Sequence, residues 1–212
     1  MHCVVLAPPS QYVARLLKFK RRECKELVPV SDFNAVISLC NLFTALYAPE
    51  NGLGTAAASE APGYDKVIER WFAFACVWSL GAAVDETGRR RFNDCLREIE
   101  PLFPPVGTVY DYAVDAATRD FKPWADRLSA SWRPPKDAPF ARIIVPTVDT
   151  VRNLYVMTTL MAKGTHVLLV GNTGTVRGGK DGGRARAALR CTHAAALPPL
   201  PAGQDRPRGS AA

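Results

Sequence analysis

The chain has 212 residues, 48% of them hydrophobic and 22% charged, and a formal net charge of +7. This length and composition suit a globular protein with one core or two small ones. The longest nearly apolar run, Trp71–Val84, is shorter than the roughly 18–20 residues that a membrane-spanning helix needs, and the N-terminus lacks the pattern of a secretory signal. We therefore expect a cytoplasmic protein without a membrane partner.

The positive charge is concentrated at one end of the chain. Residues 176–212 contribute +5 of the +7, whereas residues 1–175 are close to balanced. A basic end attracts any polyanion weakly, so the charge predicts no specific nucleic-acid binding by the folded part.

Six cysteines are scattered through the sequence and form no C-x-x-C pair. This pattern favours reduced, packed thiols over a disulfide or zinc framework. The residues are Cys3, Cys24, Cys40, Cys76, Cys95 and Cys191.

The first two predicted helices cover the N-terminal part of the chain. One spans Gln11–Leu27 and carries a basic run, Lys18–Arg22, which we interpret as a solvated face rather than a phosphate-binding patch. The next begins at Ser31 or Asp32, either of which can cap it. Its apolar residues repeat at helical spacing, which predicts an amphipathic helix. They are Phe33, Val36, Ile37, Cys40, Phe43 and Tyr47.

Two further helices follow a flexible loop that is predicted over Ala48–Gly63. The third helix, Tyr64 to about Leu80, is apolar almost all round and should be the central core element. A charged fourth helix starts at Asp85 and ends at Pro101. Its inward residues are predicted to be Phe92, Cys95, Leu96, Ile99 and Phe103.

Short extended segments replace the helical pattern after the fourth helix. Thr108–Asp115 alternates like a strand, and Arg119–Trp124 is predicted to return beside it as a hairpin. A proline-rich connector, Trp132–Phe140, follows with little regular structure.

The next segment has the order strand, helix, strand, glycine loop. The predicted elements are Arg142–Pro146, Thr147 to about Ala162, and His166–Val170. A loop of the form G-x-x-x-x-G-K-[S/T] after such a strand binds phosphates through backbone N–H groups, while its lysine reaches the outer phosphates and its hydroxyl holds Mg²⁺. The first five positions fit this form; they are Gly171, Asn172, Thr173, Gly174 and Thr175.

The last three positions of the loop do not fit. Val176, Arg177 and Gly178 stand where glycine, lysine and a hydroxyl residue are required. Valine does not readily take the positive φ that glycine allows, and a planar guanidinium does not replace a compact ammonium in a tight cradle. We therefore expect a broken phosphate loop.

A second register of the loop is conceivable but disfavoured. It would use Gly174, Gly179 and Lys180, and it places Asp181 where the metal-binding hydroxyl belongs. Residues 176–212 are rich in Ala, Gly, Arg and Pro and lack apolar periodicity, so we expect a disordered basic tail.

Four stretches resemble the dynein heavy chain, and "VPTVDT" followed by a strand and glycine is the most specific combination. The stretches are Ser31–Phe43, Trp71–Ile99, Thr108–Asp115 and Ile143–Thr175. The resemblance implies a piece that joins the helical lid of a second AAA+ module to the start of the third module's large domain. The implied fold is mostly α with a small α/β portion: a helical lid bundle, a β-hairpin, and the first strand-helix-strand of a truncated P-loop AAA+ domain.

The resemblance also implies a division into four segments. A lid-like domain would span residues 1–103, and a hairpin with a connector would span 104–141. The truncated large-domain segment would span 142–175 and the tail 176–212. We expect the sequence to lack the third module's acidic Walker B strand, its sensors and its lid.

Site residues, cofactor and partners are likewise implied by the resemblance. Val145, Pro146 and Thr147 would lie on the adenine side of a nucleotide, and Gly171–Thr175 would be a remnant of the phosphate cradle. The parent family is a microtubule-motor ATPase that uses ATP or ADP with Mg²⁺, whereas we expect this chain alone to bind no nucleotide and to be inactive. The implied partners are other heavy chain modules and dynein subunits, with microtubules engaged only through the intact parent. The implied location is the cytoskeleton, including the cilium or axoneme.

Two other function classes are open to the sequence. A non-catalytic interaction module would bind a neighbouring subunit through the four helices and polyanions through the basic tail. A dinucleotide-binding enzyme is disfavoured, because Gly171–Thr173 already departs from G-x-G-x-x-G.

Other candidate chemistry is weak. The histidines are isolated from metal or triad partners, and His166 is expected to begin a strand. Glu98 and Glu100 are predicted to face different sides of a helix, which argues against a paired-carboxylate site. Ser79 is interpreted as a packed core hydroxyl rather than a nucleophile.

Overall fold

The computed structural model describes residues 9–26, 28–128, 132–134 and 145–167, all of which belong to one compact unit. The helices of this described part are α1 Pro9–Glu23, α2 Asp32–Leu46, the short α3 Ala56–Ser59, α4 Tyr64–Ser79, α5 Glu86–Ile99 and α6 Val148–Ala162. The strands β1 Tyr112–Asp115 and β2 Asp120–Pro123 form an antiparallel hairpin. None of the described helices is long and apolar enough to cross a membrane.

Helix α4 is the centre of the core, as its composition predicts. Ala75, Cys76 and Val77 are fully buried, and α2 and both strands pack against this helix. Its aromatic side chains extend the core toward the hairpin, since the Phe74 ring lies 6.2 Å from the ring of Trp124 between centroids. The apolar part of α4, from Trp71 to Trp78, is covered by neighbours almost all round, whereas Asp65 and Lys66 in its first turn are exposed.

Helix α1 begins and ends earlier than its sequence suggests. It spans Pro9–Glu23 instead of Gln11–Leu27, and Leu27 lies outside the described residues. A long-range contact sets the C-terminal end of α1: Glu26 forms an isolated antiparallel bridge with Val84. Next to this bridge, the Lys25 carbonyl accepts from the N–H of Asp85, the residue before α5. A helical pattern cannot reveal such a contact, because the partner is about sixty residues away along the chain.

The basic run of α1 is not a uniformly solvated face, so that expectation is wrong at Lys20. Lys20 is 2% exposed, and its ammonium donates to Glu26 Oε1 at 2.6 Å. The second carboxylate oxygen of Glu26 accepts from the backbone N–H of Val30 at 3.2 Å. A lysine can be buried at this position because its charge and its hydrogen bond are both matched.

The apolar stripe predicted on α2 is buried only in part, because Val36 and Phe43 pack against the core while the other four residues are exposed. Phe33 is 74% exposed, and Ile37, Cys40 and Tyr47 are exposed as well. The face that packs against α4 and α6 is formed by small and aliphatic residues, namely Ala35, Leu39, Leu42, Ala45 and Leu46. Both sets repeat at helical spacing, so periodicity predicts the helix but cannot choose between two apolar faces. The predicted start is confirmed, since Ser31 Oγ accepts from the N–H of Asn34 at 3.3 Å.

The segment predicted as a flexible loop contains a 3-10 turn, Pro49–Asn51, and helix α3. Leu53 is fully buried between them. The backbone carbonyl of Asn51 accepts from the Trp71 indole N–H at 3.2 Å, which ties the segment to α4. One buried leucine and one buried donor therefore order a stretch whose composition is typical of a loop.

Helix α5 follows its prediction closely. Asp85 caps it, with Oδ1 accepting from the N–H of Gly88 at 2.7 Å. Phe92 and Leu96 are fully buried, and Phe103 is also in the core. Two further predicted inward residues, Cys95 and Ile99, are half-buried.

The hairpin is confirmed, but the first predicted strand is shorter than expected. Val109–Asp111 is a 3-10 turn, because Thr108 and Asp111 cap each other through side chain and backbone. Strand β1 starts only at Tyr112, which lies opposite Pro123 of β2.

The C-terminal described segment consists of α6 and its flanks. Helix α6 is confirmed within a residue of its prediction, but Val145, Pro146, His166 and Val167 are not in strands. The other residues of both predicted strands lie outside the described part, as do most of the proline-rich connector, the glycine loop and the predicted tail.

The four cysteines in the described part are free thiols, as expected. Cys76 is fully buried, Cys24 and Cys95 are half-buried, and Cys40 is exposed on α2. Three of the four described thiols are therefore packed, as predicted, and Cys40 is not.

Candidate functional site

The segment predicted to lie beside an adenine base leads into α6. Val145 is 56% exposed and Pro146 is half-buried, so the two present apolar surface at the start of the segment. The backbone carbonyl of Val145 accepts from Thr150 Oγ1 at 3.4 Å, which folds the segment against the first turn of α6. An exposed apolar edge on a fixed backbone is suited to contact the face of a planar base.

Thr147 is the N-cap of α6, and its side chain is already engaged. Its Oγ1 accepts from the N–H of Thr150 at 3.2 Å, and Thr150 Oγ1 accepts from the N–H of Thr147 at 2.7 Å. This reciprocal cap satisfies two N–H groups at the helix start and fixes the path of the chain through residues 145–147. Thr147 therefore positions the segment through the cap.

The other half of the predicted site lies outside the described residues. This half comprises Gly171, Asn172, Thr173, Gly174 and Thr175. Among the predicted site residues, the structure therefore describes Val145, Pro146 and Thr147, which follow one another in the chain. Thr165, at the C-terminal side of α6, donates its N–H to the carbonyl of Leu160 at 3.1 Å.

Helix α6 is held by aromatic side chains of the helical bundle. The ring of Tyr155 lies edge-on to Phe74 at 6.1 Å and to Trp124 at 5.5 Å between centroids. Val151, one turn earlier, is the most buried residue of the helix. Burial raises the pKa of the Tyr155 hydroxyl, and the nearby Arg127 guanidinium opposes that rise. Tyr155 therefore stays neutral and serves as a packing residue at physiological pH.

Two arginines also join α6 to the bundle. The guanidinium carbon of Arg127 lies 4.9 Å from the ring centroids of both Trp124 and Tyr155. Arg152 of α6 lies over the ring of Trp78 at 5.8 Å and pairs with Asp149. Sequence reasoning missed both contacts, because the residues that meet lie on different elements and no spacing along the chain signals them.

A cleft of about 530 Å³ lies beside the contacts of α2 and α4 with α6, where it is lined by α6 residues from Asn153 to Leu160. Its described lining includes Lys20, Arg89 and His166 and no acidic residue. Lys20 is neutralised by Glu26, and the Arg89 guanidinium lies over the Tyr110 ring at 5.5 Å. The described lining of the cleft thus carries cations and hydroxyl groups without a carboxylate.

The weaker sequence candidates gain no chemical role. Ser79 Oγ donates to the carbonyl of Ala75 at 2.6 Å, as a packed helical hydroxyl does. Burial first, and then the charge of Glu69, raise the pKa of Glu100. Within the part of the chain that the structure describes, no cluster of His, Cys, Asp and Glu could hold a metal ion.

Comparison with protein families shows what this bundle is. A family model for the dynein heavy chain AAA lid domain matches residues 7–126, more than half of the chain, and one for the P-loop containing dynein motor region matches residues 132–179. The chain belongs to the dynein heavy chain family. The predicted family and the mostly helical fold with a hairpin are thereby confirmed. Residues 7–126 are called the lid from here on.

Curated relatives come from axonemal and flagellar dyneins. Dynein axonemal heavy chain 2 is 46% identical over 166 residues in Mus musculus and 45% identical over 166 residues in Homo sapiens. The Dynein-1-beta heavy chain of the flagellar inner arm I1 complex of Chlamydomonas reinhardtii is 35% identical over 192 residues. Each match covers 78% of this chain and 4% of the relative. The chain thus spans about 4% of the length of these curated relatives.

Proposed function

We propose that this chain is a piece of a dynein motor ring that carries the edge of a nucleotide pocket but does not hydrolyse ATP by itself. One observation carries the proposal: Val176, Arg177 and Gly178 occupy the positions where a phosphate loop needs glycine, lysine and a hydroxyl residue. The match to the P-loop motor region runs through these positions, to residue 179.

The chemical consequence of these three residues is a loss of charge stabilisation. Phosphoryl transfer needs cations that neutralise the developing charge on the transferred group, and the loop lysine and the bound Mg²⁺ supply them. Gly178 offers no hydroxyl for the metal, and the Arg177 guanidinium has the wrong shape for the cradle. Gly171–Thr175 would then be a remnant cradle without its main cation.

The adenine side of the pocket is the part that the chain retains in this proposal. Val145 and Pro146 would contact the base, and Thr147 would hold their backbone through its cap with Thr150. The parent motor would use ATP or ADP with Mg²⁺, and this chain alone would bind neither firmly.

Domain division, partners and location follow from the same proposal. We propose the division into four segments that the sequence suggests: a helical lid-like segment at 1–103, the hairpin and connector at 104–141, the large-domain segment at 142–175 and the tail at 176–212. Val114 and Phe121 of the hairpin are buried in the same core as α4, so the hairpin packs on the helices of the first segment. The partners would be other heavy chain modules and dynein subunits, with microtubules reached only through the intact parent, in the cilium or axoneme.

Calorimetry with Mg·ATP tests the proposal on the full chain. We expect no saturable heat at micromolar protein and nucleotide, because the loop lacks its lysine. The matched variant is Gly174→Val, which fills the remnant cradle without changing charge. Micromolar binding by the original chain that disappears in Gly174→Val would contradict the proposal.

A second candidate function is an interaction module without nucleotide chemistry. The exposed apolar residues Phe33 and Ile37 on α2 favour it, because they offer surface to a neighbouring subunit. The basic residues of 176–212 would add salt-sensitive binding to RNA or to acidic tubulin tails. Deletion of residues 176–212 should then abolish that binding; binding that survives the deletion excludes the tail as its source.

A further inference from the structure

We propose that Arg127 is a positioning residue that pins α6 to the lid and thereby fixes the segment 145–147. The inference deepens the proposed function and rests on it only in assigning that segment to the edge of a nucleotide pocket. Nothing in the family comparison assigns a role to this arginine.

The pin is a cation between two aromatic rings from different elements. Arg127 follows the hairpin in a 3-10 turn, Trp124–Arg127, and Tyr155 lies in the middle of α6. The guanidinium carbon is 4.9 Å from both ring centroids, and Nη2 also donates to the carbonyl of Val114 at 3.2 Å. One side chain therefore contacts the lid core, the hairpin and α6 together.

The attraction between Arg127 and the rings of Trp124 and Tyr155 does not depend on a carboxylate. Among the described residues no Asp or Glu forms an ion pair with Arg127. Its partners among the described residues are the two ring faces, the Val114 carbonyl and the Tyr155 hydroxyl. Cation–ring contacts strengthen where water is excluded. Trp124 is fully buried, so the site is dry on the lid side.

The pin acts on the N-terminal half of α6, where the candidate segment is attached. Tyr155 lies two turns after Thr147, and the intervening Val151 is buried against the lid. The cleft beside α2 and α4 borders α6 from Asn153 onward, after the buried Val151. Loss of the pin should therefore release the first turns of α6 and, with them, the cap between Thr147 and Thr150.

Amide hydrogen exchange by NMR on the full chain, without nucleotide, tests the inference. The reporters are the N–H groups of Thr150 and Val151, which donate to Thr147 Oγ1 at 3.2 Å and to the Thr147 carbonyl at 3.0 Å. Arg127→Met should accelerate their exchange at least tenfold while α4 amides change less than twofold. Arg127→Lys should restore part of the protection, because an ammonium also binds a ring face but lacks the planar fork that reaches both rings and the Val114 carbonyl together. Arg90→Met, which removes an exposed arginine of α5, is the control and should change neither region.

Three results would overturn the inference. They are unchanged exchange at Thr150 and Val151 in Arg127→Met, equal acceleration in α4, and no rescue by lysine. Should Arg127→Met fail to fold, Tyr155→Leu replaces it, with the same local acceleration expected and the same results excluded. Because no nucleotide is present, a positive calorimetric result for Mg·ATP would refute the proposed function and leave this inference standing.

Discussion

The buried ammonium of Lys20 donates to the carboxylate of Glu26 at 2.6 Å, across the turn that ends α1. The same carboxylate holds the N–H of Val30, just before α2 begins. The pair therefore joins the end of one helix to the start of the next.

Glu26→Gln should lower the free energy of unfolding by about 3 kcal/mol, because it leaves the Lys20 charge buried without a counter-ion. Glutamine keeps one acceptor for the Val30 N–H, so the loss reports the charge and the acceptor that face Lys20. The double variant Lys20→Met/Glu26→Gln should return to within about 1 kcal/mol of the original chain. Urea unfolding measures both; a double variant no more stable than Glu26→Gln would refute this view of the pair.

The two apolar faces of α2 predict opposite responses to truncation. Leu42→Ala should cost about 3 kcal/mol of unfolding free energy, since Leu42 is 1% exposed and its removal leaves a cavity. Phe33→Ala should cost less than about 0.5 kcal/mol, because most of the ring is already in water. Thermal or urea unfolding decides; comparable losses in both variants would mean that the Phe33 face is covered as well.

The sequence predicts elements well where a local cap defines them. Ser31, Asp85 and Thr147 are each at a helix start, and each accepts the expected backbone hydrogen bond. The sequence does not predict which residues are buried where two faces of a helix have the same apolar period, as on α2. It fails equally where a distant partner decides, as when Val84 ends α1 through Glu26.

The candidate site, too, can be predicted only in part from the sequence. Val145, Pro146 and Thr147 are predicted by family resemblance, and the cap at Thr147 can be anticipated from its position before a helix. The meeting of Arg127 with Tyr155 cannot, because the two residues are far apart in the chain and their pairing depends on how α6 lies on the lid. Tertiary contacts of this kind leave no pattern in a single sequence.

Glu100→Gln should stabilise the lid at neutral pH. Burial, and then the negative charge of Glu69, raise the pKa of the Glu100 carboxyl in the folded state. A raised carboxyl pKa means that the folded chain binds protons more readily than the unfolded chain, so wild-type stability falls as pH rises through this pKa. The advantage of the glutamine variant should vanish below the ordinary glutamate pKa of about 4.3.

Melting temperatures of the original chain and of Glu100→Gln, taken from about pH 4 to about pH 7, measure this difference in stability. Glu98→Gln is the matched control, because Glu98 is an exposed glutamate in the last turn of α5, two residues before Glu100. A gain for Glu100→Gln that is independent of pH, or equal in the control, would contradict the burial of Glu100 as its cause.

Thr147→Ala should weaken the first turn of α6. Loss of the cap costs about 1 kcal/mol, which corresponds to roughly fivefold faster exchange of the Thr150 amide. Thr147→Ser keeps the hydroxyl and should leave that rate nearly unchanged. If alanine and serine give the same rate, the hydroxyl is not what holds the turn.

Steady-state release of phosphate from Mg·ATP by the purified chain tests the central claim most directly. The account predicts no turnover above that of the Gly174→Val variant, because Val176, Arg177 and Gly178 leave the phosphates without a lysine and the metal without a hydroxyl. Turnover by the original chain that is lost in Gly174→Val would contradict the account, since it would show a working phosphate site in this loop.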